Sequence, residues 1–306
     1  MRILEPGTFL HAVPVKPGPI TVMERAEAEV PCRTHLSVLD MRRFEPGVPG
    51  GGGIGHAIDL RARAVVRVAD EWTVRSSRPH VVEHAARVVA GAAGYGGALE
   101  VEAEDHGIRH LGLGSTSALM TAVAVAVNHV LGRPLGSRDL RHIIGRNFVE
   151  DHPEGVVPGF ETGVGPAVGL YGGFIVMTDA LAIASRMSLP DGWQAVIAVV
   201  HGDPRKSSGE EEISLLMNRA RDLDASAAER KAHLALLDLI PAMDAGDLDR
   251  MTGVIARLQR IGSKVAEIEH HPRPDGIRSL AESMRDAGAR LVGMSSVGPS
   301  VTGIVS

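Results

Sequence analysis

The alternation of apolar and polar residues predicts strands through the first two thirds of the chain and again at its end. The predicted strands cover residues 33–40, 55–68, 72–76, 98–104, 174–177, 194–200, 290–294 and 301–305. Apolar residues at helical spacing predict helices between these strands. The predicted helices cover residues 79–91, 116–131, 137–148, 211–221, 227–245, 248–261 and 277–287.

This order of elements predicts an α+β architecture, in which the second half is richer in helices than the first. We assign one domain to residues 1–190 and a second to residues 191–306. The proline- and glycine-rich stretch 153–173 predicts a loop with one short helical piece. Ser137 is the expected cap of a helix, and helix 116–131 is apolar on nearly all sides, so we expect it at the centre of the molecule.

A glycine-rich loop lies between the predicted strand 98–104 and this central helix. Its sequence is Gly112-Leu113-Gly114-Ser115-Thr116-Ser117, and His110 precedes it. Glycine tolerates positive φ and close approach of a ligand, and the first N–H groups of a helix have no partner within the helix. The helix dipole adds about half a positive charge at this end. The loop therefore predicts an anion site, with phosphate or pyrophosphate as the expected ligand.

Composition narrows the class of partner. The 306 residues carry a net charge of −5 and only 3% aromatic residues, which argues against general nucleic-acid binding. The single cysteine, Cys32, excludes an internal disulfide and any multi-cysteine metal site. No apolar run approaches the roughly 18 to 20 residues that cross a bilayer, and no secretion signal is expected at the start. We therefore expect a cytoplasmic protein with small-molecule substrates and no membrane or nucleic-acid partner.

Several short segments, taken together with the loop and in this order, resemble the GHMP kinase superfamily. They are Arg33-Thr34-His35 with Asp40, Gly51-Gly52-Gly53-Ile54-Gly55, Thr162-Gly163-Val164-Gly165, Tyr171-Gly172-Gly173-Phe174, Ser207-Ser208-Gly209-Glu210-Glu211 and Ser295-Ser296-Val297-Gly298-Pro299-Ser300. Within that superfamily the combination is most similar to the β-ribofuranosylaminobenzene phosphate synthases and the related C-nucleoside synthases of antibiotic pathways. The chain departs from that branch at Thr116-Ser117, where Gly-Thr is frequent, and at Ser300, where threonine is usual.

The resemblance implies a GHMP-type, ribosomal-S5-like N-terminal domain, a ferredoxin-like C-terminal domain and a homodimer. It also implies a phosphoribosyltransferase that joins phosphoribosyl pyrophosphate (PRPP) to a carbon of an aromatic or heteroaromatic carboxylic acid. The products are a C-riboside phosphate, pyrophosphate and carbon dioxide. A Mg²⁺ ion that bridges the pyrophosphate oxygens is the expected cofactor.

The matching segments assign candidate roles to individual residues. The candidate catalytic residues are Arg33, His35 and Asp40, and the candidate metal ligands are Asp40 and Glu211. The pyrophosphate is assigned to His110, Gly112, Leu113, Gly114, Ser115, Thr116 and Ser117. The remaining candidate substrate contacts are Gly52, Gly53, Thr162, Gly163, Lys206, Ser208, Ser295 and Ser296.

The chemistry of these side chains fits such roles. The planar guanidinium of Arg33 suits bidentate capture of phosphate or carboxylate, and Lys206 offers a compact positive charge. Histidine titrates near neutrality, so His35, or secondarily His110, suits the proton exchange that decarboxylation and rearomatisation require. Cys32 is expected to pack in the core rather than act as a nucleophile.

Other functions stay open at this stage. In a true GHMP small-molecule kinase the loop would wrap the phosphates of ATP, and Glu161 or Asp40 would activate a hydroxyl group. A catalytically silent protein that binds a metabolite is a further alternative. His80-Val81-Val82-Glu83-His84 matches an inverted zinc-protease motif, for which a plain surface helix is the simpler explanation. The Gly-x-Gly-x-x-Gly pattern within residues 50–55 precedes a predicted strand rather than the helix that a dinucleotide site requires.

Overall fold

The computed structural model describes residues 2–43, 45–108, 110–200 and 214–306. The strands of the first half are β1 (Arg25–Val38), β2 (Gly53–Ala69), β3 (Thr73–Arg75), β4 (Ala98–Glu104), β5 (Val149–His152), β6 (Gly155–Pro158), β7 (Phe174–Met177) and β8 (Ile183–Met187). Six of them form one sheet with the order β3-β4-β2-β7-β8, and β1 pairs with β2. Strands β5 and β6 form a separate hairpin.

The long strand β2 organises this sheet because three other strands pair with it. β1 runs antiparallel along one edge and places His35 opposite Gly55 and Val38 opposite Gly53. β4 pairs with the carboxyl half of β2, and β7 pairs with its amino half. The glycine turn before β2 is thereby fixed beside the end of β1.

Four helices belong to the first half: α1 (Pro79–Ala93), α2 (Ser115–Val130), α3 (Ser137–Arg146) and α4 (Val164–Tyr171). Helix α2 packs against β1, β2 and α1, and most of its residues are buried. It ends before Gly132, which adopts a φ of 82° that other residues rarely reach. The prediction of a central, apolar helix is confirmed.

The second half consists of helices and a three-stranded antiparallel sheet. In the described part of the chain this sheet contains β9 (Gln194–Val199), β10 (Arg290–Met294) and β11 (Ser300–Val305), in the order β10-β11-β9. The helices are Arg221–Ala225, Ala228–His233, Ile240–Asp244, Leu248–Leu258, Ser263–His270 and Pro274–Asp286. Two π-helical turns, Leu216–Ala220 and Leu234–Leu239, adjoin the first three, and two short 3-10 turns lie at Met41–Arg43 and Asp179–Leu181.

Buried Asp224 ties the end of β1 to the helices of the second half. Its carboxylate accepts hydrogen bonds from the N–H groups of Met41 (2.8 Å) and Ser263 (2.9 Å) and forms an ion pair with Lys231, which is also fully buried. The Lys231 ammonium donates to the carbonyl of Val38 across 2.7 Å. Because a buried charge without its partner destabilises a fold by about 3 to 5 kcal/mol, this joint depends on both side chains.

The α+β prediction is confirmed, and the strands predicted at 98–104, 174–177 and 290–294 have these bounds in the structure. The first sheet ends at Met187 and the second begins at Gln194, so the border assigned between residues 190 and 191 falls between the two sheets. Within the described ranges, every helix is too short or too polar to reach across a lipid bilayer.

Four local features differ from the predictions. Helix Ser263–His270 and strand β8 were missed, because each is short and mixes polar with apolar residues. The stretch 153–173 contains the strand β6 as well as the helix α4. Ser137 does not cap α3, because the N-cap position is occupied by Gly136 in extended conformation and the helix has no side-chain cap.

Candidate phosphate site

The glycine-rich loop turns sharply into α2 through two glycines in the left-handed region. Gly112 and Gly114 each have a φ of 75°, and Gly114 is the N-cap of α2. A Cβ atom on Gly112 would lie 2.2 Å from the carbonyl oxygen of Ser295, and one on Gly114 would lie 3.0 Å from the guanidinium carbon of Arg33. Both the backbone conformation and the lack of space therefore require glycine at these positions.

Three successive carbonyl groups of this loop are held by groups of the protein. The hydroxyl of Ser300 donates to the Leu111 carbonyl (2.6 Å), and the hydroxyl of Ser295 donates to the Gly112 carbonyl (2.7 Å). The Leu113 carbonyl accepts the N–H of Arg33 (3.2 Å). A trans peptide holds its N–H and C=O groups on opposite sides. Within each peptide unit, the N–H groups of residues 112–114 therefore point away from the donor that holds the carbonyl.

A second helix begins beside α2. A Cβ on Gly165 of α4 would lie 2.0 Å from the Ser117 hydroxyl of α2, and a Cβ on Gly169 would lie 2.8 Å from the Thr121 methyl group. Both contacts advance by four residues in the same direction, so the two helices run side by side and parallel. Their N-termini meet at one place, where the positive ends of both dipoles add to the attraction for an anion.

Arg33 and Lys264 bring positive charge to this place. The Arg33 guanidinium donates to the Gly112 carbonyl across 3.0 Å. The Lys264 ammonium, which is almost fully buried, donates to the Ser296 carbonyl and to the Glu267 carboxylate, each across 2.6 Å. Burial lowers the pKa of Lys264, and the adjacent Glu267 carboxylate opposes this shift.

His35 lies in the interior, close enough to both cations for their charges to act on it. The Nε2 atom of its ring is 3.1 Å from the Thr162 hydroxyl, and its backbone N–H donates to the Ser295 hydroxyl across 2.9 Å. Burial, reinforced by the charges of Arg33 and Lys264, holds the pKa of His35 well below its ordinary value. The imidazole is therefore neutral at physiological pH.

Two carboxylates flank the first turn of α2. Glu161 accepts the N–H of Gly163 at the start of α4 (2.6 Å) and the hydroxyl of Ser117 (3.4 Å), and burial raises its pKa. Glu150 accepts the hydroxyl of Thr116 across 3.1 Å. The loop therefore has cations on the side of β1 and carboxylates beside α2.

Comparisons with known proteins agree with this geometry. Residues 80–157, which include the loop and all of α2, match the family model of the GHMP kinases N terminal domain. The chain is 27% identical over 295 residues to the β-ribofuranosylphenol 5'-phosphate synthase of Archaeoglobus fulgidus, covering 90% of this chain and 86% of the relative. The synthase of the same name from Methanothermobacter thermautotrophicus is 26% identical over 304 residues, covering 89% and 86%.

Kinases and decarboxylases are also similar to this chain. The homoserine kinase of Moorella thermoacetica is 26% identical over 266 residues, covering 83% of this chain and 81% of the relative. The crystal structure of mevalonate diphosphate decarboxylase from Staphylococcus aureus superimposes with a TM-score of 0.68 at 16% identity, covering 92% of this chain and 88% of that one. The chain has the GHMP fold. The resemblance to the superfamily and to its synthase branch, derived above from short segments, is confirmed.

The GHMP fold gathers most of the predicted site residues around the loop. Gly53 lies against the ring of His35, where a Cβ would be 2.8 Å from Nε2, and Gly52 has a φ of 60° beside the Met177 carbonyl. Gly163 is the N-cap of α4, with a φ of 91°. His110 is exposed, with a φ of 59°. Lys206, Ser208 and Glu211 lie outside the described residues.

Asp40 is placed differently from the other predicted residues. Its carboxylate forms a bidentate ion pair with Arg42, at 2.9 Å for both contacts, and lies 3.7 Å from Arg43. The bond to Arg42 lowers the pKa of Asp40. Its assignment as a catalytic residue and metal ligand stays a prediction, and either role would require it to leave Arg42.

Other residues at this GHMP loop were not predicted from the sequence. Lys264 was missed, although its spacing to Glu267 is that of an ordinary helical ion pair. Arg78 was also missed: it is buried, donates to the Thr116 hydroxyl across 2.8 Å and pairs with Asp105. A functional lysine or arginine differs from the many solvent-exposed ones only in its burial. The sequence alone does not show that burial, so such a residue is hard to predict.

The alternative sites drawn from the sequence do not gather in this fold. Burial raises the pKa of Cys32 to about 12, which agrees with a packing role. His84 is buried rather than on a surface, and its ring nitrogens contact the Asn147 carbonyl (2.9 Å) and the Gly7 N–H (3.2 Å). His80 bonds to the carbonyl of His152 instead of facing a shared metal position. No group of three or more His, Cys, Asp or Glu residues suited to a metal occurs in the part of the chain that the structure describes.

Proposed function

We propose that this protein is a PRPP-dependent phosphoribosyltransferase that forms a C-riboside phosphate from an aromatic or heteroaromatic carboxylic acid, releasing pyrophosphate and carbon dioxide. The observation that carries the proposal is the glycine-rich loop at the start of α2, whose carbonyls at residues 111–113 are all held by protein donors, with the Arg33 guanidinium beside it. Similarity to two β-ribofuranosylphenol 5'-phosphate synthases over most of the chain supports this chemistry.

In the proposed reaction the bond between the anomeric carbon and the pyrophosphate oxygen breaks, and the ring carbon that carries the carboxylate bonds to the anomeric carbon. The carboxyl group then leaves as carbon dioxide, and its electron pair restores the aromatic ring. The transition state resembles a ribosyl oxocarbenium ion beside a departing pyrophosphate. Stabilisation of that departing charge is the main task of the protein.

The residues of the site suit this task. The loop amides and the N-termini of α2 and α4 hold the pyrophosphate, while Arg33 and Lys264 neutralise its charge. His35 is neutral and buried, so in this proposal it positions the donor beside Thr162.

The donor set beside the loop also fits a magnesium ion. Mg²⁺ binds through one or two carboxylates together with substrate phosphates and water, and Glu150 and Glu161 both adjoin the first turn of α2. In this proposal these two carboxylates would hold the ion. When bound, Mg²⁺ would supply positive charge to the departing pyrophosphate oxygens.

The test is to incubate the protein with PRPP, Mg²⁺ and a panel of aromatic carboxylates that includes 4-hydroxybenzoate and 4-aminobenzoate. Equal amounts of pyrophosphate and carbon dioxide, released only when donor and acceptor are both present, are expected. A parallel set with ATP and small alcohols, homoserine among them, examines the kinase alternative. ADP formation in that set, with no pyrophosphate from PRPP, would overturn the proposal.

Matched variants connect the activity to the loop. Arg33→Met removes the cation beside Gly112, whereas Arg61→Met removes an exposed arginine that pairs with Asp59 on the same sheet. Pyrophosphate release is expected to fall strongly in the first variant and to stay at the wild-type rate in the second.

A further inference from the structure

A cleft in the second half of the chain is separate from the phosphate loop. It lies between the helices Leu248–Leu258, Ser263–His270 and Pro274–Asp286 and the strand β10, and its volume is about 340 Å³. Ligand sites for small molecules begin at about 300 Å³, so the cleft has room for one ring with a substituent. Its apolar lining includes Val265, Ile268, Ile277, Ala281 and Met294.

Three arginines and one glutamate stand at the polar side of this cleft. Arg278 is occupied, because it pairs with Asp275 at 2.9 Å and lies 3.7 Å from Glu269. In the described ranges, no carboxylate lies within ion-pair distance of Arg260 or Arg285. Both guanidinium groups are thus available to a ligand that brings its own negative charge.

The inner wall of the cleft leads directly to the phosphate site. Gln259, which lines the cleft, donates to the carbonyl of Leu36 across 2.6 Å and accepts the N–H of Met294 across 2.9 Å. Leu36 follows His35 in β1, and Met294 precedes Ser295, whose hydroxyl holds the Gly112 carbonyl. A Cβ on Gly293 would lie 2.7 Å from the Gln259 amide, so the Gln259 side chain packs closely against the backbone of β10.

We infer that the cleft is a second binding site, which takes a small organic acid with an apolar ring and couples its binding to the phosphate loop through Gln259. The ring of such a ligand packs against Ile268, Ile277 and Met294, and its carboxylate meets Arg260 and Arg285. The bound ligand packs against Gln259 on the cleft side and holds its side chain in place. Because Gln259 bonds to Leu36 and Met294, the ligand also restricts the movement of β1 and of the turn that contains Ser295.

The binding test uses 4-(trifluoromethyl)benzoate as a probe, titrated into the protein and followed by ¹⁹F NMR. Its uncharged counterpart, 4-(trifluoromethyl)benzamide, is titrated in the same way. We expect the carboxylate to bind more tightly than the amide. The variant Arg260→Ala/Arg285→Ala is expected to weaken carboxylate binding by at least about tenfold, which corresponds to about 1.4 kcal/mol. Glu282→Gln, which removes a negative charge from the lining, should strengthen it.

Two controls distinguish this site from the phosphate loop. Arg257 lies about one helical turn before Arg260 and pairs with Asp238. Arg257→Ala should leave probe binding unchanged. Arg33→Met alters the loop and should also leave it unchanged. Equal binding of acid and amide, full binding to the Arg260→Ala/Arg285→Ala variant, or loss of binding in Arg33→Met would overturn the inference.

The coupling has its own measurement, which does not depend on the proposed enzymatic activity. With the probe bound, hydrogen exchange followed by mass spectrometry is expected to slow in peptides that cover residues 33–38 and 110–118. In a Gln259→Leu variant the probe should still protect the cleft but no longer the loop. Protection confined to residues 256–294 in the wild-type protein would contradict the coupling.

Discussion

The hydroxyl of Ser295 donates to the Gly112 carbonyl across 2.7 Å. The same oxygen accepts the N–H of His35 across 2.9 Å. One side chain in the turn between β10 and β11 thus joins the glycine-rich loop to the strand that carries Arg33. The shape of the phosphate site depends on this hydroxyl as much as on the glycines.

Replacement of Ser295 by alanine is therefore expected to lower the free energy of unfolding by about 1 to 3 kcal/mol, because the buried N–H of His35 loses its partner and the Gly112 carbonyl loses one of its two donors. Urea denaturation measures the change. Ser263→Ala is the matched control: its buried hydroxyl finds no partner in the described part of the chain, so its loss should leave stability unchanged or slightly higher. Equal destabilisation by both substitutions would contradict the assigned role.

Arg33 should control the affinity for pyrophosphate. Arg33→Met is expected to weaken binding by about tenfold or more, since a charge-assisted hydrogen bond contributes about 1.5 to 3 kcal/mol. Arg33→Lys keeps the positive charge but lacks the planar guanidinium, so its affinity for pyrophosphate should lie between those of the wild-type protein and Arg33→Met. Isothermal titration calorimetry with pyrophosphate gives the values, with Arg61→Met as the exposed control. Unchanged affinity in Arg33→Met would exclude the guanidinium from the anion site.

The contact between α2 and α4 makes a prediction about glycine. Gly165→Ala is expected to lower stability by about 1 to 3 kcal/mol, because its Cβ would overlap the Ser117 hydroxyl. It should also weaken pyrophosphate binding by moving the two helix N-termini apart. Gly253→Ala, at an exposed helical position with open space around it, is expected to raise stability by about 0.5 to 1 kcal/mol. Thermal denaturation of both variants compares the two cases.

Stability should fall as the pH drops below about 6.5. Burial lowers the pKa of His35, His56 and His84, so the unfolded chain takes up protons in this range that the folded protein does not. Each such histidine removes at most about 1.4 kcal/mol per pH unit. The stabilisation from these neutral, buried histidines is fully present above pH 6.5, which is the ordinary pKa of a histidine side chain.

His56→Phe isolates one of these histidines. His56 stacks on Phe174, and its Nε2 atom is buried with no partner in the described residues, so a phenyl ring is expected to be tolerated. Urea unfolding is measured at about pH 7.5, 6.5 and 5.5, which spans the range in which histidine titrates. The free energy of unfolding should fall less steeply with decreasing pH in the variant than in the wild-type protein. Parallel curves for the wild-type protein and the variant would show that His56 titrates normally.

The sequence allowed much of the sheet and the central helix to be predicted, because their burial follows regular periods. The alternation in residues 98–104 and the apolar helix after Gly114 both reflect a core that excludes water on known faces. The loop was predicted for a related reason, since closely spaced glycines before a helix have few structural uses besides anion binding.

The rest of the site could not be predicted because it depends on contacts between distant segments. Lys264 looks like a solvated lysine until the Ser296 carbonyl is placed beside it. Asp40 shares a motif with His35, yet it pairs with Arg42 in the next turn. Neither the burial of this one lysine nor the choice of partner in an ion pair follows a local period, so neither leaves a pattern to detect.

The hydroxyls of Ser295 and Ser300 lie 183 and 189 residues from the carbonyls they hold, Gly112 and Leu111. Contacts of such long range form late, because the intervening chain must first be ordered. During translation the glycines emerge from the ribosome long before these serines. A nascent chain halted between them would carry the loop without the hydroxyls that hold its carbonyls, and the geometry of the candidate phosphate site would be complete only once the last strands have formed.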